Sequence, residues 1–465
     1  MEIKLAIKNI DKHFYSWKQN NCCYYISNNH LDIEHCAFDS LEQILDDVTS
    51  IEQSFSLIIH HEDFLFACVD AISAFPLFYK INTHEINITN NILRNENDTI
   101  NTKQVEFFKQ HFCTENENTL IDNWKRLQIG EYFYYNKKEN TYKIDSYLSI
   151  IKNKYSENKS INFYDLLLKK VEKIKQQFYD YTFVVPLSGG YDSRAVLCLL
   201  KDAGVQNIFT YTYGNINSEE KKIAEEVAKK LDVPWLFIEY DENLLQLFFT
   251  DVWKDYALNN HHFTSLPHEQ DFFALHYLRQ QQIVPHQSIF FPGFIGDYYA
   301  GSMFKDEHAI KYYSKELNQD YIFWYLNNRA SKFIVNAVRS FEYFGYQWQL
   351  ILYDIQLINY FFLQQKDTTF SQYEDLIFNN LFKNHCVDFK KSKPANIKHY
   401  LKKITPKKIL QTYQKYNSTS IKNDPINANL ISKKMTIFDT TLKQHKFRNF
   451  NNIHAIYFLK SIHIS

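Results

Sequence analysis

The spacing of apolar and polar positions changes character along the chain. From residue 1 to about 145, short apolar runs alternate with turns containing Asn and Asp, the pattern of a β-rich region. SFSLIIHHEDFLFACVDAISAFPLFYKI (54–81) predicts several short strands, and YFYYNKKENTYKIDSY (132–147) a late hairpin. The polar stretch IKNKYSENKSIN (151–162) reads as a linker. After it the apolar period lengthens. FYDLLLKKVEKIKQQF (163–178) places Leu167, Val171 and Ile174 on one side of a helix. YTFVVPL (181–187) predicts a buried strand, DSRAVLCLLKDAG (192–204) a helix closed by Gly204, and NIFTYTYG (207–214) a second strand. SEEKKIAEEVAKKLD (218–232) predicts a helix capped by Ser218, and WLFIEYD (235–241) a third strand. Strands alternating with helices of this length imply a parallel, doubly wound α/β sheet. From about 245 onward the pattern is mainly helical and aromatic, and no internal repeat is present. Two domains are expected, 1–150 and 160–465.

Composition sharpens this in one respect. Of 465 residues only 9 are glycine, and five of those fall in SGGYDS (188–193) and PGFIGDYYAG (292–301). Glycine costs backbone entropy and is used where the chain needs positive φ or close approach to the backbone. Clusters of it in a chain that otherwise avoids it point to a task. The formal net charge of −1 provides no global field towards nucleic acid or a membrane. Seven scattered cysteines form no CxxC pair and no zinc spacing, as expected of reduced thiols in a cytoplasmic protein. The opening MEIKLAIKNIDKHFYSW lacks the charged start and unbroken apolar core of a signal peptide. No apolar run approaches the roughly 18 residues of a membrane-spanning helix.

The first glycine pair sits where the first parallel strand gives way to a helix, the place where open α/β sheets bind ligands. A Gly-Gly turn there exposes backbone N–H groups, and the helix N-terminus adds positive potential, so the spot suits phosphate. Ser188 and Ser193 add hydroxyl donors. Asp192 would repel a bare phosphate but makes sense as a ligand to a Mg²⁺ bridging it. The plainer alternative is an ordinary strand-to-helix turn, against which the alternation of strands and helices weighs. The stretch is neither a Walker A loop, GxxxxGK[ST], nor a dinucleotide GxGxxG.

The order S-G-G-x-D-S resembles the pyrophosphatase loop of N-type ATP pyrophosphatases, enzymes of HUP-like α/β fold that cleave ATP to AMP and pyrophosphate. Within them the chain resembles the asparagine synthetase family, over 183–302 and 342–354. TYTYGNINSEEKKIAEEVAKKLDVPW (210–235) is similar to that family's second strand and helix, and IFFPGFIGDYYAGS (289–302) to its second phosphate loop. The resemblance implies an ATP site of Leu187, Ser188, Gly189, Gly190, Asp192, Ser193, Tyr213, Gly214, Gly293 and Asp297. Tyr213 and Gly214 would line the adenosine, and Asp192 and Asp297 would hold Mg²⁺. VDAISAFPLFY (69–79) and LQIGEYFYY (127–135) resemble the family's glutaminase domain, which implies an α+β Ntn-hydrolase-like fold for 1–150. That domain uses a cysteine exposed as its first residue. Here Met1-Glu2 stand at the start and the nearest cysteines are Cys22 and Cys23, so glutaminase activity is expected to be absent.

The synthetase half departs from the family pattern too. Phe294 follows the second-loop glycine where the family often carries Glu or Tyr. In FGYQWQLILYD (344–354), Gln347 and Gln349 take the Glu and Arg places and Ile351 the Pro place, while Asp354 is kept. The family's catalytic lysine has no assigned counterpart; Lys390, Lys391 and Lys393 are the candidates. NNHHFTSLPHEQDFFALHYL (259–278) brings His261, His262, His268, Glu269 and Asp271 together. It reads either as a helix start with capping acids after Pro267 or as a wall of the acyl pocket, with His268, Asp271 and Asp354 as pocket candidates. HxxxH or HExxH metal spacing is missing. Residues 389–423 hold ten lysines and no acid, either a solvated basic face or a tail approaching phosphate.

The function these features imply is ATP-dependent amide formation. A carboxylate is adenylated with release of pyrophosphate, and ammonia or another amine, from solution or a partner glutaminase, attacks the acyl-adenylate. The closest resemblance is to asparagine synthetase-like proteins of surface-polysaccharide clusters, so the carboxylate substrate would be a small molecule such as a sugar nucleotide. ATP and Mg²⁺ are the expected cofactors, neither nucleic acid nor a membrane span is expected, and a homodimer is compatible with the reading. Two alternatives stay open: another adenylating enzyme of this superfamily, such as a tRNA-modifying one, and a degraded, non-catalytic nucleotide-binding or interaction protein.

Overall fold

The computed structural model describes residues 1–8, 13–19, 22–27, 40–149, 162–299, 323–358, 373, 375–389, 428–439, 442 and 450–464. Nearly all of the expected linker 151–162 lies outside them, as do Lys390, Lys391, Lys393 and nearly all of the lysine-rich stretch.

Among the described residues the first 149 are rich in sheet. β1 (Glu2–Ala6), β7 (Glu85–Thr89), β6 (Phe78–Ile81) and β8 (Lys125–Arg126) form a four-stranded sheet in that order. β10 (Thr141–Ser146), β9 (Glu131–Asn136), β5 (Phe64–Val69), β4 (Ser56–His60), β3 (Cys22–Ser27) and β2 (Phe14–Gln19) form a six-stranded antiparallel one. The expected strands in 54–81 and the late hairpin are both present. β4 and β5 read as nearly continuous apolar runs because both faces are covered. Leu57, Ile59, Phe66 and Cys68 face Ile44 and Val48 of the helix Leu41–Val48. Ile58, Leu65, Ala67 and Val69 join the larger core with Ile86 and Ile88 of the other sheet.

The α/β half follows the predicted order. The helix Phe163–Gln177, capped by Asn162, buries Leu167, Val171 and Ile174. β11 (Thr182–Pro186), β12 (Ile208–Gly214) and β13 (Trp235–Glu239) alternate with the helices Tyr191–Asp202 and Glu219–Lys230, the latter capped by Ser218. Two short strands were hidden in the stretch expected to be helical. β14 (Ser288–Phe290) and β15 (Gln347–Trp348) complete a five-stranded parallel sheet ordered β13-β12-β11-β14-β15. The order reverses between β11 and β14. A ligand crevice opens at such a switch point, beyond the carboxyl ends of the strands.

The two halves meet on a turn organised by Asp70, which is fully buried. Its carboxylate accepts from the N–H groups of Ile72 (2.7 Å), Phe55 (2.9 Å) and Ala74 (3.4 Å). Ser73, held at φ 48°, gives its carbonyl to Arg126 Nη2 (2.9 Å), and Ala74 gives its carbonyl to Arg339 Nη2 (2.7 Å). Phe75 stacks on Trp348 of β15 with ring centroids 4.9 Å apart. The segment 112–120 also exchanges backbone hydrogen bonds with 263–266, from Leu120 N to Phe263 O and from Leu266 N to Phe112 O (both 2.8 Å). No helix among the described residues is long and apolar enough to cross a membrane.

Asp70→Ala would leave several buried N–H groups without an acceptor. It is expected to cost on the order of 2–4 kcal/mol, measured by urea unfolding, with Asp70→Asn closer to wild type because it keeps one acceptor oxygen.

Candidate active site

The turn after β11 is held by its own hydroxyls. Ser188 N–H donates to Ser193 Oγ (3.1 Å), Gly190 N–H donates to Ser188 Oγ (3.0 Å), and the two hydroxyls lie 3.0 Å apart. Leu187 is anchored from both directions: its N–H donates to Tyr211 O (2.7 Å), and its carbonyl accepts from Thr212 Oγ1 (2.6 Å). The helix that follows opens at Gly190 without a side-chain cap. Its first turn keeps the anion-attracting character of an uncapped N-terminus.

The second glycine loop, after β14, closes onto this turn. A β-carbon on Gly293 would lie 2.6 Å from Ser193 N, and one on Gly296 would lie 2.2 Å from Asp192 Cγ. Neither glycine, nor Gly189 or Gly190, has positive φ. Of the two uses of glycine, these loops need close approach rather than a left-handed backbone. Asp192, half-buried, also accepts from the Tyr373 hydroxyl at Oδ1 (2.8 Å). Asp297 is the second residue of the short helix Gly296–Tyr299, directly after the contact with Asp192.

Tyr213 and Gly214 end the neighbouring strand β12. The ring of Tyr213 stacks on that of Tyr240 at 5.0 Å and 6° between planes. Beneath them lies Asp271, which accepts from the Tyr211 hydroxyl (3.2 Å) and hydrogen-bonds with Tyr213. The expected helix begins at Phe272, but Asp271 does not cap it. Its carboxylate is turned to the tyrosines instead. Burial lifts the Asp271 carboxyl to about 7, while Tyr211 and Tyr213 pull the other way.

The remaining members of 259–278 serve packing. His261 and His262 are buried, burial pushes both imidazoles down, and His262 stacks on Phe78. Glu269 meets His454 of the helix Phe450–Ser461, and His268 lies edge-on to Phe333. Asp354 is buried, its Oδ1 accepting from Gln356 N (2.8 Å) and Leu357 N (3.1 Å). Among the described residues no group of three or more His, Cys, Asp or Glu side chains forms a metal site. The structure thus brings Leu187, Ser188, Gly189, Gly190, Asp192, Ser193 and Gly293 to one junction of two loops, with Tyr213 and Gly214 at the end of the next strand. It gives His268 and Asp354 packing and capping contacts. Two residues were not singled out from sequence. Arg194 stood in plain view as a cation directly before the apolar run Ala195–Leu200, whereas nothing local to Tyr373 marked its hydroxyl for Asp192.

Residues 182–294, from β11 to the second loop, match the family described as QueC, queuosine biosynthesis protein QueC. The stretch of the α/β half that includes the SGGYDS turn is therefore similar to that family. No curated protein matches the chain. Among solved structures, the chain is similar to an NMN synthetase from Francisella tularensis (14% identity, 52% of this chain and 98% of that one, TM-score 0.22). It is similar also to an NH3-dependent NAD synthetase from Campylobacter jejuni subsp. jejuni (13%, 50% and 100%, 0.21). A third is a glutamine-dependent NAD+ synthetase from Acinetobacter baumannii in complex with ADP (12%, 48% and 46%, 0.23).

Two outcomes check this geometry. Gly293→Ala forces a methyl against backbone and is expected to cost about 1–3 kcal/mol in urea unfolding, as overpacking does. Asp271 gives a pH signature. Its folded value is raised from 3.8 to about 7, so the folded state binds the proton more tightly. The stability this contributes is complete below pH about 4 and is lost as pH rises to about 7. Over that window wild type should lose up to about 1.4 kcal/mol per pH unit relative to Asp271→Asn. Parallel unfolding curves for the two proteins would contradict the assignment.

Proposed function

We propose that the protein is an ATP-dependent carbon–nitrogen ligase. A carboxylate oxygen of the acceptor attacks the α-phosphorus of ATP, the α–β phosphoanhydride bond breaks, and pyrophosphate leaves. An amine then attacks the acyl-adenylate carbonyl and AMP departs with the bonding electron pair. The carrying observation is the interlock of Gly293 and Gly296 with Asp192 and Ser193 at the switch point of the parallel sheet.

In this reading the loop hydroxyls of Ser188 and Ser193 and the uncapped start of Tyr191–Asp202 receive the departing pyrophosphate. Preorganised donors contribute most where charge develops, here on the leaving group. Tyr213, its ring fixed by Tyr240 and its hydroxyl by Asp271, and Gly214 form the wall for adenosine. Magnesium takes one or two carboxylates plus substrate phosphates rather than a closed protein cage, so a pair of acids suffices. Asp192 would hold it, with Asp297 as second ligand, and the ion would neutralise charge on the β- and γ-phosphates. The acceptor would be a small-molecule carboxylate, with a sugar of surface-polysaccharide synthesis as the narrower assignment, and ammonia or another amine the nucleophile. Residues 1–150 are read as an Ntn-hydrolase-like domain attached to this ligase. The described cysteines are all free thiols, in keeping with a reducing cytoplasm.

A second reading is adenylation in the synthesis of a modified base. The match of 182–294 to a queuosine biosynthesis protein favours it.

Incubation with ATP, Mg²⁺, ammonia and separate panels of uronic-acid nucleotides and heteroaromatic carboxylates distinguishes the two by which panel yields AMP. Asp192→Ala should lower pyrophosphate release by about a hundredfold or more while the circular dichroism spectrum is kept. Turnover at the wild-type rate in that variant would remove Asp192 from the metal site.

A further inference from the structure

One charged side chain of the SGGYDSRAV stretch points into the protein rather than the crevice. Arg194 is 0% exposed. Its guanidinium is taken up by four backbone carbonyls. Nε donates to Gly190 O (3.0 Å), Nη2 to Gly189 O (3.1 Å), and Nη1 to Val387 O (2.9 Å) and Phe389 O (2.8 Å). The rings of Tyr191 and Phe382 lie 5.0 Å from its central carbon. No carboxylate among the described residues forms an ion pair with it. Burial accordingly pulls its pKa down.

Anchoring the helix does not call for this. The residues that follow, Ala195 to Leu200, are buried and apolar, and hold it to the sheet already. A buried guanidinium is unfavourable unless its donors are satisfied. What the side chain does is local to the glycine pair. Helical side chains lean towards the N-terminus, which brings Arg194 back under the turn. There it binds the oxygens of both glycine peptides, the residues freest to rotate. It also places a full positive charge beneath an N-terminus that no side chain caps. Its other amino group ties the same turn to Val387 and Phe389, in the irregular stretch after the helix Lys383–His385.

We infer that Arg194 is the positioning residue of the phosphate loop: it locks the Gly189 and Gly190 peptides and supplies field to a bound pyrophosphate without touching it. This rests on the loop being a pyrophosphate site, as proposed above. Glutamine at this position keeps a donor but loses the charge and most of the fork. Lysine keeps the charge but loses the fork.

The test is calorimetric titration of wild type, Arg194→Gln and Arg194→Lys with two probes, magnesium pyrophosphate and adenosine, alongside thermal unfolding of each protein. Arg194→Gln should weaken pyrophosphate binding at least about tenfold, with Arg194→Lys in between and adenosine binding unchanged in both, since charge-assisted hydrogen bonds of this kind are lost. Equal pyrophosphate affinity in all three proteins would overturn the inference. So would a parallel loss of adenosine binding, the mark of a merely structural role. Should Arg194→Gln fail to fold, the comparison of Arg194→Lys with wild type decides alone. A wild-type protein that binds adenosine but no pyrophosphate overturns the phosphate reading itself, before Arg194 enters.

Discussion

The structure turns on a contact that has no room for a β-carbon. Gly293 and Gly296 on one loop meet Asp192 and Ser193 on another, a hundred residues earlier in the chain. At Gly293 a β-carbon would meet backbone, so any other residue there needs the main chain to move, whereas at Gly296 it would meet the Asp192 carboxylate, which would have to turn away. The parallel sheet makes this approach possible. β11 and β14 are neighbours, their carboxyl ends lie side by side, and each leads into one of the two loops. A chain with nine glycines has placed four of them at this one junction.

The irregular segments around the crevice are held by a recurring device. Buried cations bind backbone carbonyls, Arg339 pairing with the Glu342 carboxylate as well. Arg194 grips Gly189 and Gly190, Lys170 binds Leu350 O (3.1 Å), Lys332 binds Thr114 O (2.8 Å), and Arg126 and Arg339 bind Ser73 and Ala74. Loops that cross between layers carry carbonyls no ladder can satisfy, and an unsatisfied buried carbonyl is unfavourable. Long cationic side chains reach them. The opposing penalty is desolvation, visible in Lys170 pulled down to about 8 and Lys332 to about 7 by burial. The Lys332 and Arg339 ties join the sheet-rich half to the α/β half.

Much of this was legible in the sequence because it rests on local patterns. β11, β12 and β13 announce themselves as apolar runs, and the helix between β12 and β13 carries its own N-cap, Ser218. The SGGYDS turn was placed correctly because its strand and helix lie on either side of it. What escaped was long-range. β15 is two residues long, too short for a period, and exists only because β14 is there to pair with. Asp271 looked like a helix cap from its place before Phe272, yet two tyrosines sixty residues upstream claim its carboxylate. His261 and His262, in a stretch that read either as a helix start or as a pocket wall, are buried at the seam where 263–266 pairs with the sheet-rich half. Spacing along a chain records neighbours within a turn or two, and these contacts lie far beyond that.

The account stands on two loops forming one pyrophosphate site, and the direct measurement is a crystal structure with magnesium and a non-hydrolysable ATP analogue. The β- and γ-phosphates should lie against residues 188–193, beside the junction with 293–297, with the adenine along Tyr213 and Gly214. A nucleotide bound elsewhere, or phosphates that touch neither glycine loop, would contradict it.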